Sequence, residues 1–232
     1  MSIWTYKATL CALVFAIAGC SDGGPQAFLS MSNLNGSANT ALREVRLADR
    51  NVTISGLSDY CIDKTLLRPN VAALFPCANL GMRRAEWPQT RAAFVVTVGQ
   101  PGGADLLVNP DDTQAFLKSN RGRQVLSRTG NAATVTVART VARRDAIYVL
   151  ASDTSPNPFG QNQLRHWRAF TMLNGRLTTV SATGYGEVSL AEDQGFAMLE
   201  RFVKRLRSDN GAVSEIVVTR SGKAAALAGY AP

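Results

Sequence analysis

Trp167-Arg168-Ala169-Phe170-Thr171-Met172-Leu173-Asn174-Gly175-Arg176-Leu177-Thr178-Thr179-Val180-Ser181-Ala182 is the stretch that decides the fold. Two runs rich in β-branched and aromatic residues flank Asn174-Gly175, a pair that readily takes the positive φ values of a type I′ turn, so the stretch predicts a two-residue β-hairpin. The register follows from the turn: Leu173 opposite Arg176, Met172 opposite Leu177, Phe170 opposite Thr179, Ala169 opposite Val180. Phe170, Met172 and Leu177 then share one face, which we expect to be the core side. Downstream, Ser189-Leu190-Ala191-Glu192 has the form of a capping box. Phe196, Leu199, Phe202, Val203 and Leu206 recur at helical spacing behind it. Arg201, Lys204, Arg205 and Arg207 fall on the other faces and in the last turn, where cations complement the helix dipole. Asn210-Gly211 stops the helix, and Val213 to Thr219 reads as a final strand.

Upstream, Val45-Arg46-Leu47 and Val52-Thr53-Ile54 alternate apolar with polar around a turn at Asp49-Arg50-Asn51. Tyr60-Cys61-Ile62 and Val71 to Cys77, with Pro76 breaking the latter, are further strands. So is Ala92 to Val98, closed by the turn residues Gly99 to Gly103. Leu106-Leu107-Val108 is expected as a short strand. Asp111 or Asp112 is positioned to cap a helix running through Lys118. Gly122 is expected to interrupt, with a second helical turn from Gln124 to Ser127 and strands over Thr134 to Ala138 and Ala146 to Ala151. Consecutive strands without βαβ alternation predict an α+β fold. Its mainly antiparallel sheet is flanked by helices, and the long C-terminal helix lies between a hairpin and a last strand. The pattern from Trp167 through Val218 resembles the ending of the PsbP and DcrB-like group. That resemblance implies an antiparallel sheet flanked by helices in a non-enzymatic binding or assembly protein, and it carries no residue roles.

The N-terminus supplies a location. Lys7 precedes an apolar core from Leu10 to Ala18, the anatomy of a secretory signal, and the core is shorter than the ~20 residues a spanning helix takes. Ile17-Ala18-Gly19-Cys20 resembles the lipobox of bacterial lipoproteins. The resemblance implies cleavage before Cys20, diacylglycerol on its sulfur and a further acyl group on its amine. It places the protein in the cell envelope, facing the periplasm and tied to the membrane through the Cys20 lipid. In the lipoproteins it resembles, a neutral residue after the cysteine, here Ser21, goes with export to the outer membrane. We expect a signal peptide over 1–19, a Gly/Ser/Asn-rich tether over 20–41, one globular domain over 42–220 and a mobile tail over 221–232. The full chain carries a formal charge of +8, and loss of Lys7 leaves +7. That balance suits an anionic ligand, although the arginines are scattered and serve solubility equally well. Cys11 leaves with the signal and Cys20 takes lipid, so Cys61 and Cys77 form the expected disulfide in an oxidising compartment.

Catalytic signatures are sparse. His166 is the only histidine; a Ser-His-Asp hydrolase needs just one, and that is the alternative function, but beside Trp167 it reads as an ordinary edge histidine. Gly56-Leu57-Ser58-Asp59-Tyr60 lacks the second glycine of a nucleophile elbow. Ser208-Asp209-Asn210 has no Ser-x-x-Lys or Lys-Thr-Gly to accompany it, so it is a helix end. Asp153-Thr154-Ser155-Pro156-Asn157 opens like a calcium loop but has Pro158 where glycine is required. No metal, cofactor or nucleic-acid signature stands out. The expected function is a non-catalytic binding or assembly module that captures an envelope protein or an anionic ligand. Its candidate binding loop runs from Ser152 to Gln163, with Asp153, Asn157 and Phe159 as the candidate contacts.

Overall fold

The Asn174-Gly175 turn forms with φ of 48° and 72° at its two residues, and all four expected cross-strand pairs are present. The computed structural model describes residues 40–102, 107–156, 165–186 and 188–211. In chain order its strands are β1 (Ala41–Leu42), β2 (Glu44–Leu47), β3 (Val52–Ser55), β4 (Tyr60–Asp63), β5 (Val71–Pro76), β6 (Ala92–Pro101), β7 (Val135–Ala142), β8 (Ile147–Asp153), β9 (Arg165–Leu173) and β10 (Arg176–Gly184). The helices are α1 (Pro110–Lys118), α2 (Asn120–Leu126) and α3 (Glu192–Asp209). Eight strands form one antiparallel sheet in the order β1-β4-β5-β6-β10-β9-β8-β7, and β2 and β3 pair separately. The fold is therefore α+β, with helices on an antiparallel sheet. Ala41 pairs with Asp63 and Leu42 with Ile62, which places β1 on the outer side of β4. The lipobox, the tail and the expected strand Val213 to Thr219 lie outside the described residues. Among the described residues no helix is long and apolar enough to cross a membrane.

The hairpin meets α3 with the face opposite to the one expected. Trp167, Ala169, Leu173, Val180 and Ala182 join the main core with Phe94, Leu199, Phe202 and Leu206. Phe170 instead packs with Leu117, Leu126, Ile147 and Val149 under α1 and α2, with Leu177 against them. Met172 is half-buried. Alternation could not choose between the faces, because β9 is apolar on both and both are covered. In the main core Phe202 meets Phe94 edge-on at 4.8 Å, and Phe196 contacts both Tyr148 (5.1 Å) and Trp167 (4.7 Å). Such ring pairs add about 0.5–1.5 kcal/mol beyond area burial.

Capping also departs from expectation. Ser189 is not the N-cap of α3; Ala191 is, with no side-chain cap bond. Leu190 decides the start. It is buried under the first turn, close against Gly195, where an added Cβ would stand 3.2 Å from its Cδ2. Glu192 turns outward to Arg165 (2.9 Å). For α1 the cap is Asn109, which accepts from the Asp112 amide, while Asp111 and Asp112 occupy the first turn. Pro110 at N1 fixes that choice, since its φ and missing N–H suit the first helical position. Leu107 and Val108 form a turn, not a strand. Gly122 lies inside α2 and does not interrupt it. A Cβ there would sit 2.0 Å from the Phe116 carbonyl, so glycine is required by close approach of the two helices. The break falls at Ser119, whose hydroxyl caps α2 through the Gly122 amide (3.1 Å).

Cys61 on β4 and Cys77, one residue past β5, form the expected disulfide with Cα atoms 4.9 Å apart. It is buried with Phe75, Leu80 and Ala93 in a third cluster on the same side of the sheet as Phe170.

Candidate functional site

Three of the residues that drew attention in the sequence can be placed. β8 runs through Ser152 and Asp153, so the expected loop starts later, while Asn157 and Phe159 lie outside the described residues. His166 is no edge residue. β9 pairs with β8 on one side and β10 on the other, and His166 is 4 % exposed.

On the sheet face that carries Phe170, Asp153 from β8 and His166 and Arg168 from β9 meet the C-terminal end of α2. The Asp153 carboxylate is 1 % exposed and accepts from the amides of Ser155 and Arg128 (both 2.9 Å) and from the Ser155 hydroxyl. The Arg128 guanidinium stands 3.6 Å away and donates to the Asp153 carbonyl (2.9 Å), the Pro156 carbonyl (3.1 Å) and the Ser155 carbonyl. Burial by itself would raise the Asp153 carboxyl; the bonds from Ser155 and from the two amides, with the Arg128 charge, outweigh it and hold the group at about 2. Arg168 donates through Nη1 to the Leu126 carbonyl (2.5 Å) and through Nε to His166 Nε2 (3.1 Å). Burial pushes its guanidinium down to about 10; Asp153 opposes that shift and Arg128 adds to it.

This arrangement has a chemical consequence. A guanidinium only donates, so His166 Nε2 is the acceptor and the imidazole proton sits on Nδ1. The lone pair a general base would use is already engaged. Asp153 is spent on the strand end and on Ser155. The cluster therefore ties α2 to β8 and β9. Among the described residues no group of three or more His, Cys, Asp or Glu could hold a metal ion.

Sequence reasoning missed Arg128, Ser155 and Arg168. Ser155 was findable, because an aspartate accepting from the amide two residues on is an Asx turn and Asp-x-Ser is its signature. The two arginines reach Asp153 and His166 through strand and helix packing, which local pattern does not encode. The sequence matches no protein-family model and no curated protein.

Proposed function

We propose that this protein is a cell-envelope lipoprotein, held to the membrane through lipid on Cys20, that works as a non-catalytic binding or assembly module for an envelope protein or an anionic ligand. The observation that carries the non-catalytic part is the bond from Arg168 to His166 Nε2, which occupies the one imidazole lone pair the chain could offer to acid-base chemistry. The Cys61–Cys77 bridge supports an oxidising compartment, where such bonds form and persist. The lipobox Ile17-Ala18-Gly19-Cys20 and the signal core before it support the anchor, since two or more acyl chains give the stable attachment one chain does not. The neutral Ser21 favours the outer membrane. The PsbP and DcrB-like pattern of the second half agrees with a binding role.

The anchor is tested by Cys20→Ser, which should leave precursor or a soluble form, against a wild type whose intact mass includes lipid. A mature wild type without lipid overturns the anchor. The non-catalytic reading is tested by His166→Gln in protein that melts normally. Retained cellular function is expected, and a folded but inactive variant overturns it.

A further inference from the structure

A second polar region lies away from His166. Residues 89–91, which lead into β6, and residues 188–190 with Gln194, which lead into and open α3, face each other across a cleft of about 210 Å³. Gln89, Thr90 and Arg91 line one wall; Val188, Ser189 and Gln194 line the other. Among the described residues that line the cleft none is a carboxylate, and Arg91 is the one cation. The Arg91 guanidinium lies over the Trp87 ring at 4.7 Å, and Trp87 and Val188 are 47 % and 46 % exposed. The lining thus combines a branched apolar side chain, two carboxamides, hydroxyls and one positive charge, and the aromatic plane of Trp87 stands beside it, under Arg91.

Both walls are fixed from behind. The buried Tyr60 hydroxyl donates to the Thr90 carbonyl and accepts from the Ala92 amide (3.3 Å), and the Tyr185 amide donates to the Arg91 carbonyl (3.3 Å). On the other side Leu190 is buried in the main core, and Trp167 Nε1 donates to the Glu192 carbonyl (2.8 Å). A cleft formed before binding loses little conformational entropy when it fills.

We propose that this cleft binds one residue of an acidic saccharide. Carboxamides and hydroxyls both donate and accept, which is what a ring bearing several hydroxyls requires. Trp87 and Val188 suit the ring's C–H faces, and Arg91 supplies a donor pair for one carboxylate. Drug-sized ligands occupy roughly 300–1,000 Å³, so this volume fits a single ring and leaves the rest of a chain outside. The inference rests on the reading of the protein as a binding module and specifies its anionic ligand.

The test is titration of the full-length protein in detergent with trigalacturonic acid and with its fully methyl-esterified form, followed by calorimetry and by side-chain amide NMR. The acid should bind and perturb the Gln89 and Gln194 carboxamides, with the ester roughly tenfold weaker for loss of the charge-assisted bond. Arg91→Gln should bring the acid down to the level of the ester, Gln194→Ala should weaken both ligands alike, and neither variant should change the melting temperature. Equal affinity for acid and ester, or binding of the acid undiminished in Arg91→Gln, overturns the proposal. So does absence of binding at millimolar trigalacturonate. If crosslinking in the envelope still captures a partner when the acid does not bind, the saccharide proposal falls and the module reading stands.

Discussion

At the junction of α2, β8 and β9, Asp153 and Arg128 are bonded to backbone and to each other, and Arg168 is bonded to the Leu126 carbonyl and to His166. In the cleft between residues 89–91 and 188–194, the lining side chains of Gln89, Arg91, Ser189 and Gln194 are exposed. The residue types would have suggested the opposite. Histidine, aspartate and arginine are the usual chemistry of a site, whereas glutamine and serine are ordinary surface. Burial explains the reversal. A charged group taken out of water must be paired at once, so the buried junction consumes its own functional groups. Neutral amides at the surface cost nothing to leave open, and they remain available to a ligand.

The largest effect that could break this contrast is at Arg168. Arg168→Ala leaves the Leu126 carbonyl and His166 Nε2 without this donor, and each orphaned buried acceptor costs about 1–3 kcal/mol, so the variant should lose roughly 2–6 kcal/mol in denaturant unfolding. A loss within the scatter of surface substitutions, about 0.5 kcal/mol, would mean that the junction is not structural.

The Cys61–Cys77 bridge comes next and bears on the cleft. It closes a loop of 16 residues and fixes Cys77 ahead of the segment that carries Trp87 and Arg91. Double substitution by serine should cost about 2–4 kcal/mol and weaken saccharide binding, since one wall of the cleft loses its tether. Undiminished stability, or two free thiols on labelling of unfolded, unreduced protein, would remove the bridge from the account.

How much of this was legible depended on how local each cause was. The hairpin register follows from two residues, Asn174 and Gly175, whose backbone preference suffices. The disulfide followed from removing Cys11 and Cys20 from the pairing. The core face of the hairpin was not legible, because Trp167 and Leu173 on one side are as apolar as Phe170 and Met172 on the other, and only the positions of α3 and of α1 and α2 distinguish them. Ser189 misled because a capping serine competes with burial of its neighbour Leu190, and about 1 kcal/mol of capping is outweighed by the roughly 1.5–3 kcal/mol of a buried leucine. His166 looked like an edge residue because nothing near it announces pairing with Ala151 of β8, fifteen positions earlier in sequence. The cleft had no signal at all. Its two walls are about a hundred residues apart, and their side chains are individually unremarkable in type.

The smallest effect is also the sharpest separation of the two regions, because it depends on pH. Asp153 is held at about 2 in the folded protein against an ordinary 3.8, so its carboxylate contributes stability that is fully present above the unfolded value. That contribution is lost as pH falls from about 4 toward 2, and it amounts to about 2 kcal/mol. Asp153→Asn should therefore destabilise the protein at neutral pH, since one carboxylate oxygen is replaced by an N–H₂ that can meet the Arg128 amide as a second donor. It should also flatten the acid limb of the stability curve over the same window. Arg91→Gln should leave that limb superimposable on the wild type, because none of the described residues lining the cleft is a carboxylate whose protonation could be linked to folding. If Asp153→Asn retains the full acid dependence, the linkage belongs to other carboxylates and the junction's charge pairing is not what acid disrupts.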